Sequence, residues 1–226
     1  MSVVTVDHLR KQFGRVVAVE DVSFALEPGE LVGLVGHNGA GKTTTLKMLT
    51  GQLVPTAGSI QVGGIDVGAD PGGARTKIGY VPEDPKLYEY LSAKEMLEFV
   101  IGVRGTGDLE FGLDVARLGD DAQRLIREYS QGMRRRTALA CAMVAKPPVL
   151  VLDEALNGLD PPSAARVGDM LRAAADDGAA VLFSTHVLET LERLADRVIM
   201  LVDGRVEMDA RASEMDAIRE RFRAMK

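Results

Sequence analysis

The chain has one cysteine, Cys141, so no internal disulfide can form and a reducing interior is the expected setting. Cys141 sits in the small apolar run "ALACAMVA", where packing is its expected role rather than chemistry. An excess of basic charge is also missing. The net charge is −6, which argues against nucleic acid as a main partner, because phosphate backbones call for basic surface. The opening "MSVVTVDHLRKQF" lacks the charged-then-apolar build of a signal peptide. No uncharged apolar run reaches the roughly 18 residues that a membrane-spanning helix needs. The expectation is a soluble cytosolic protein that reaches a membrane, if at all, by binding another protein. There is no tandem repeat and no low-complexity linker. With 226 residues, 46% of them hydrophobic, the chain can bury a substantial core.

β-Rich runs at 3–9 and 16–26 come first, then a Pro28-Gly29 turn and a compact apolar strand from Leu31 to Val35. A helix is expected from Lys42 to Leu49, a hairpin at 58–67 around Gly63-Gly64, and a strand from Lys77 to Val81. After residue 83 the texture changes. Ser92 and Glu95 have capping-box spacing ahead of Met96, Leu97 and Phe99. The glycine-rich, acidic stretch 102–121 reads as mobile, and helical patterning returns from 122 and again from 133 to 145. Residues 84–146 thus read as a helical lobe inserted into an α/β core made of 1–83 and 147–226. In that core, "VLVLDE" (149–154) is a buried strand and "AAVLFST" (179–185) another. Val167, Met170, Leu171 and Ala174 mark a helix, as do Val187, Leu188, Leu191, Leu194 and Ala195. A hairpin turns at Asp203-Gly204, and a tail helix carries Met215, Ile218, Phe222 and Met225 on one side. Strands alternating with helices predict a mainly parallel sheet with ligands at the strands' C-terminal ends.

The chemistry concentrates in "GLVGHNGAGKTTTLKML". Gly36-x4-Gly41-Lys42-Thr43 is a phosphate loop: glycines turn backbone N–H groups inward, and the helix start adds its positive dipole end. Lys42 is expected to reach the β- and γ-phosphates, and the Thr43 hydroxyl to bind Mg²⁺. His37 is given a loop role and His8 that of a strand residue, since one histidine makes no metal site. At the end of "VLVLDE", Asp153 is expected to hold Mg²⁺ through water and Glu154 to take a proton from attacking water. Asn157-Gly158-Leu159-Asp160 reads as a tight loop. Ser184-Thr185-His186 brings an imidazole to a strand C-terminus, where it can steady the water. In "YSQGMRRR", Ser130 reads as the N-cap of a helix whose start is an anion site.

In order, Phe13, the glycine loop, "GYVPE", "YSQGM", "LDE", "NGLD" and "STH" resemble an ATP-binding-cassette (ABC) ATPase over nearly the whole chain, most like the drug-, antibiotic- or polysaccharide-export type. The resemblance implies a RecA-like P-loop NTPase core with an N-terminal antiparallel β subdomain and an inserted helical subdomain. It implies a homodimer, or a pair of such subunits, with two ATP and Mg²⁺ between them, coupled to a separate transmembrane permease on the cytoplasmic face of a membrane. ATP contacts would come from Phe13, Gly36, His37, Asn38, Gly39, Ala40, Gly41, Lys42, Thr43 and Thr44. Across the interface, Ser130 and Gly132 would touch the γ-phosphate, with Gln131 and Asp160 also at the dimer contact. Thr43, Glu83 and Asp153 would face the metal; Glu154, His186 and Lys42 would be catalytic. Four positions depart from the family pattern: Glu83 stands where a glutamine is usual, Gln131 for a glycine, Met133 for a glutamine and Ala155 for a proline. Leu87, Tyr88, Tyr90 and Leu91 are the candidates for permease contact. A soluble ABC ATPase of DNA repair or translation, and a module that binds ATP without cleaving it, are the rival readings.

Overall fold

A computed structural model describes residues 2–156 and 161–224; residues 157–160, for which a tight loop is expected from the sequence, and Met225 lie outside the described residues. Strands β1 (Val4–Phe13) and β2 (Val16–Leu26) form an antiparallel pair. β3 (Leu31–Val35) is buried throughout and leads through the glycine loop into α1 (Lys42–Leu49). β4 (Ala57–Val62) and β5 (Ile65–Asp66) make the expected hairpin. α2 (Pro71–Thr76) has Asp70 as its cap, and β6 (Ile78–Val81) follows. Next come three helices, α3 (Ala93–Arg104), α4 (Leu109–Ala116) and α5 (Gln131–Met143). The remainder runs β7 (Val149–Leu152), α6 (Pro161–Asp176), β8 (Ala180–Thr185), α7 (Leu188–Leu194), β9 (Arg197–Val202), β10 (Arg205–Arg211) and α8 (Met215–Ala224).

The strands form one sheet in the order β5-β4-β1-β2-β10-β9-β3-β8-β7-β6. From β9 to β6 every neighbour is parallel, whereas β1, β2, β4 and β5 pair antiparallel. This is the expected α/β architecture. Because side chains alternate along a strand, the two faces of the sheet fill two cores. Val149 and Val151 join Val32, Leu34, Leu46 and Leu49 on one side. Leu150 and Leu152 join Leu97, Leu139, Leu171 and Phe183 on the other, where α3, α5 and α6 pack. Burial on both faces explains why "VLVL" is apolar without alternation. Register sets the edge that matters: Val35 pairs with Thr185 and Leu152 with Phe183, so β3, β8 and β7 end side by side.

Three local expectations need correction. The stretch 102–121 contains helix α4, with Asp108 as N-cap accepting from the Phe111 N–H at 3.0 Å. Its Gly112 permits close packing rather than motion: a Cβ there would lie 2.9 Å from the Val144 side chain and 3.1 Å from that of Leu97. Residues from 122 onward form only two short 3-10 turns, Gly119–Gln123 and Ile126–Glu128, before α5 begins at Gln131. β1 also runs on to Phe13, past polar Arg10, Lys11 and Gln12. His8 lies in it at φ 46, where the register with β2 slips.

Candidate functional site

The phosphate loop is held from behind. Gly41 has φ 100, and a Cβ on it would lie 2.6 Å from the Ala18 carbonyl oxygen of β2, so both conformation and space demand glycine. The Ala40 carbonyl accepts the Gly204 N–H at 3.2 Å, and the Gly204 carbonyl accepts the N–H groups of Glu20 and Asp21 at 2.8 and 3.1 Å. The β9–β10 turn therefore clips the loop to β2. From α1, Lys42 bends back across the loop and donates from Nζ to the carbonyls of Gly36 (2.7 Å) and His37 (3.3 Å). Thr43 and Thr44 are half-buried, whereas His37, Asn38 and Gly39 are exposed on the lip. His37 Nε2 lies 3.8 Å from Asp203 Oδ1.

Directly after β7, Asp153 is 1% exposed, and its N–H bonds the Val81 carbonyl at 2.8 Å. The Ser184 hydroxyl donates to Asp153 Oδ1 at 2.7 Å and accepts the Glu154 N–H at 2.8 Å. Glu154 adopts φ 51, a left-handed conformation that costs a non-glycine residue roughly 1–3 kcal/mol and is typical of functional sites. Its Oε1 lies 3.7 Å from the Lys42 ammonium and its Oε2 3.0 Å from His186 Nδ1. An ionised carboxylate only accepts, so the His186 proton on that side belongs to Nδ1, which leaves Nε2 as the other face of the ring. Burial, and then the charge of Asp153, push the Tyr80 hydroxyl up to about 12. The Cys141 thiol is likewise pushed up to about 12 by burial, which fits a packing role.

Lys42, Asp153, Glu154 and His186 are thus brought together at one sheet edge. Other candidates stand apart from this network. Ser130 caps α5 and accepts the Met133 N–H at 3.3 Å; it and Gln131 are exposed, and Gly132 is half-buried. Glu83 is exposed and lines a cavity of about 440 Å³ with Gln131, Arg134 and Arg135. Phe13 is 46% exposed at the end of the β1–β2 ladder, with the Lys11 ammonium 5.0 Å from its ring centre. Asp160 falls outside the described residues. Ser184, to which sequence reasoning gave no role, and Gly204 join the site. The signals for them were "STH", read for its histidine, and Asp203-Gly204, read as a hairpin turn.

A glycine loop that opens a helix, with a buried aspartate at the end of the strand two places away in the sheet, defines a phosphate-loop nucleoside triphosphatase. The ABC transporter family model matches residues 19–157. The ABC-type transporter ATP-binding protein EcsA of Bacillus subtilis (strain 168) is 35% identical over 235 residues, covering 98% of this chain and 91% of its own length. The daunorubicin resistance ATP-binding protein DrrA3 of Streptomyces coeruleorubidus is 36% identical over 222 residues, covering 96% of this chain and 70% of its own. A solved ATP-binding subunit of an ABC transporter superposes with a TM-score of 0.89 at 32% identity, covering 99% of this chain and 94% of that one. A dimeric ATP-binding cassette solved in a post-hydrolysis state with ADP and Pi gives 0.85 at 25% identity, covering 92% and 98%. The chain belongs to the ABC transporter family, as an ATP-binding and ATP-hydrolysing subunit.

Proposed function

We propose that two copies of this chain clamp two ATP molecules head to tail and that their closing and opening drives a separate membrane-spanning permease. The observation that carries the reading is the single network at the sheet edge: Lys42 from α1 and His186 from the end of β8 converge on Glu154, which stands beside buried Asp153. Phe13 stacks on the adenine. The loop amides and Lys42 hold the β- and γ-phosphates and stabilise the transferring phosphoryl group. Glu154 accepts the proton of the attacking water, help worth about 10²–10⁴-fold, and His186 orients that water. Ser130 and Gly132 of one copy grip the triphosphate bound by the other, and Gln131 and Asp160 lie at the same contact. The exposed start of α5, a helix N-terminus capped by Ser130, supports that role.

The donor chemistry fits Mg²⁺. Thr43 and Asp153 offer hard oxygens, and only Oδ1 of Asp153 is engaged by Ser184. Thr43, Asp153 and, across the loop after β6, Glu83 are its proposed holders; bound there, it supplies charge neutralisation at the phosphates.

Among the described residues no helix is long and apolar enough to cross a membrane; a peripheral position on the cytoplasmic face, through the permease, is part of the proposal and is supported by relatives named as ATP-binding proteins of transporters. Residues 84–146 act as the lobe that moves against 1–83 and 147–226. Tyr88, Tyr90, Leu87 and Leu91, the first two exposed, are the proposed permease contact. Export is the proposed direction, because relatives are named for daunorubicin resistance and for Nod factor export.

The test is phosphate release by the purified protein across protein and magnesium concentrations. Two-copy catalysis gives specific activity that rises with protein concentration and vanishes in chelator. Magnesium-dependent turnover that stays flat down to the lowest measurable concentration would refute the shared site.

A further inference from the structure

We propose that Ser184 is the positioning residue that sets the spacing between the two acidic groups of the site; this rests on the hydrolytic roles given above to Asp153 and Glu154. Its place in the sheet is unusual for a polar group. β8 lies between β3 and β7 in the middle of the parallel sheet, Ser184 pairs with Leu34, and its neighbour Phe183 pairs with Leu152. Ser184 is 1% exposed, in a strand whose other residues are Ala180, Val181, Leu182, Phe183 and Thr185. A hydroxyl there has to be fully engaged, and it is. It has one proton to give, which goes to Asp153 Oδ1, and it accepts the Glu154 N–H with a lone pair. The rotor is therefore fixed, and the relay from Glu154 N–H through Ser184 Oγ–H to Asp153 Oδ1 runs in one direction.

Two things depend on that single atom. The Asp153 carboxylate is tethered on Oδ1, which leaves Oδ2 as the oxygen that can turn to other partners. The Glu154 backbone, at φ 51, is secured in a conformation that side chains disfavour, and that conformation sends the side chain towards Lys42 and His186. Without the hydroxyl, the Glu154 N–H loses its Ser184 acceptor and Asp153 loses its tether together with it. Metal holding and proton acceptance should then fail jointly, through the two residues that Ser184 bonds.

The experiment compares wild type, Ser184→Ala and Ser184→Thr for turnover, for magnesium dependence and for ATP affinity with and without chelator. In Ser184→Ala, kcat and the apparent magnesium affinity should each fall by about 10-fold or more, the usual cost of losing a group that orients a metal ligand. ATP affinity in chelator should stay within about 2-fold, because the glycine loop is untouched. Ser184→Thr, which keeps the hydroxyl, should recover most of both losses. If the alanine chain does not fold, Ser184→Cys replaces it, since a thiol fills the space but donates weakly, and the same losses are expected. Wild-type magnesium dependence in the alanine or cysteine chain overturns the inference. So does an equal loss of ATP affinity with and without chelator, or a threonine chain no better than alanine. Wild type lacking magnesium-dependent turnover would overturn the functional reading as well, whereas an active wild type beside an indifferent Ser184→Ala sinks this inference alone.

Discussion

Oε1 of Glu154 lies 3.7 Å from the ammonium of Lys42, with both side chains about nine-tenths buried. The proposed base and the proposed phosphate-binding cation therefore share one charge pair, and His186 completes the other side of the carboxylate. Replacing Glu154 with glutamine keeps the shape and removes the proposed proton acceptor. Turnover should fall by about 10²–10⁴-fold while ATP affinity holds. The protein should then accumulate as an ATP-bound dimer, read by light scattering after size exclusion. A Glu154→Gln chain that stays monomeric in saturating ATP counts against the shared site.

Lys42→Ala removes the cation that spans Gly36 and His37 as well as the partner of Glu154. The nucleotide-dependent rise in melting temperature should disappear. Without nucleotide the chain should also melt lower, by the equivalent of roughly 1–3 kcal/mol, less than the usual cost of breaking a buried pair because His186 still faces the carboxylate. An unchanged thermal shift with ATP would show that Lys42 does not hold phosphate.

Glu83 occupies an exposed loop beside Gln131, Arg134 and Arg135, where the family pattern has glutamine. A carboxylate there adds a metal-binding oxygen and a negative charge. Glu83→Gln is expected to raise the magnesium concentration needed for half-maximal activity and to alter permease-stimulated turnover. If both stay unchanged, Glu83 has neither role.

The pH dependence of stability should have a component at Asp196. Burial alone would raise this carboxyl, but two hydrogen bonds from Arg172, one from the Leu31 N–H and the Arg172 charge outweigh it, so the group sits below its ordinary value. A depressed pKa gives stability that is present in full above the unfolded value, near 4, and lost as pH falls through the lower folded value. Asp196→Asn should therefore reduce stability at neutral pH by about 1 kcal/mol or less, given the exposure of the pair, and flatten the acid limb of the melting curve below about pH 4. Parallel acid limbs in the two proteins would assign that loss to other carboxylates.

Much of the fold was legible where local rules and burial agree. Lys42–Leu49 and the Ser92–Glu95 capping box appear as read, since a phosphate loop must open a helix and the box names its own first turn. The reading failed where tertiary packing reverses a local signal. The glycine-rich stretch 102–121 reads as mobile, but its Gly112 lets α4 lie against Leu97 and Val144. The order of strands was also out of reach: nothing local says that β3 sits between β8 and β9, or that β10 meets β2. At the site, Lys42, Asp153, Glu154 and His186 were readable because each ends or follows an apolar strand or a glycine loop. Ser184 was not, because its significance lies in a neighbour more than thirty positions away and is visible only once β7 and β8 lie in register.

The clip between Ala40 and Gly204 has a consequence for biosynthesis. The loop residues are made before β8, β9 and the turn at Asp203-Gly204 that braces them. A chain that stops short of that turn owns every glycine of the loop and the β2 side of its backing, but not the Gly204 clip. The clip therefore closes only after Gly204 has been made, and the loop gains its full support later than its own residues.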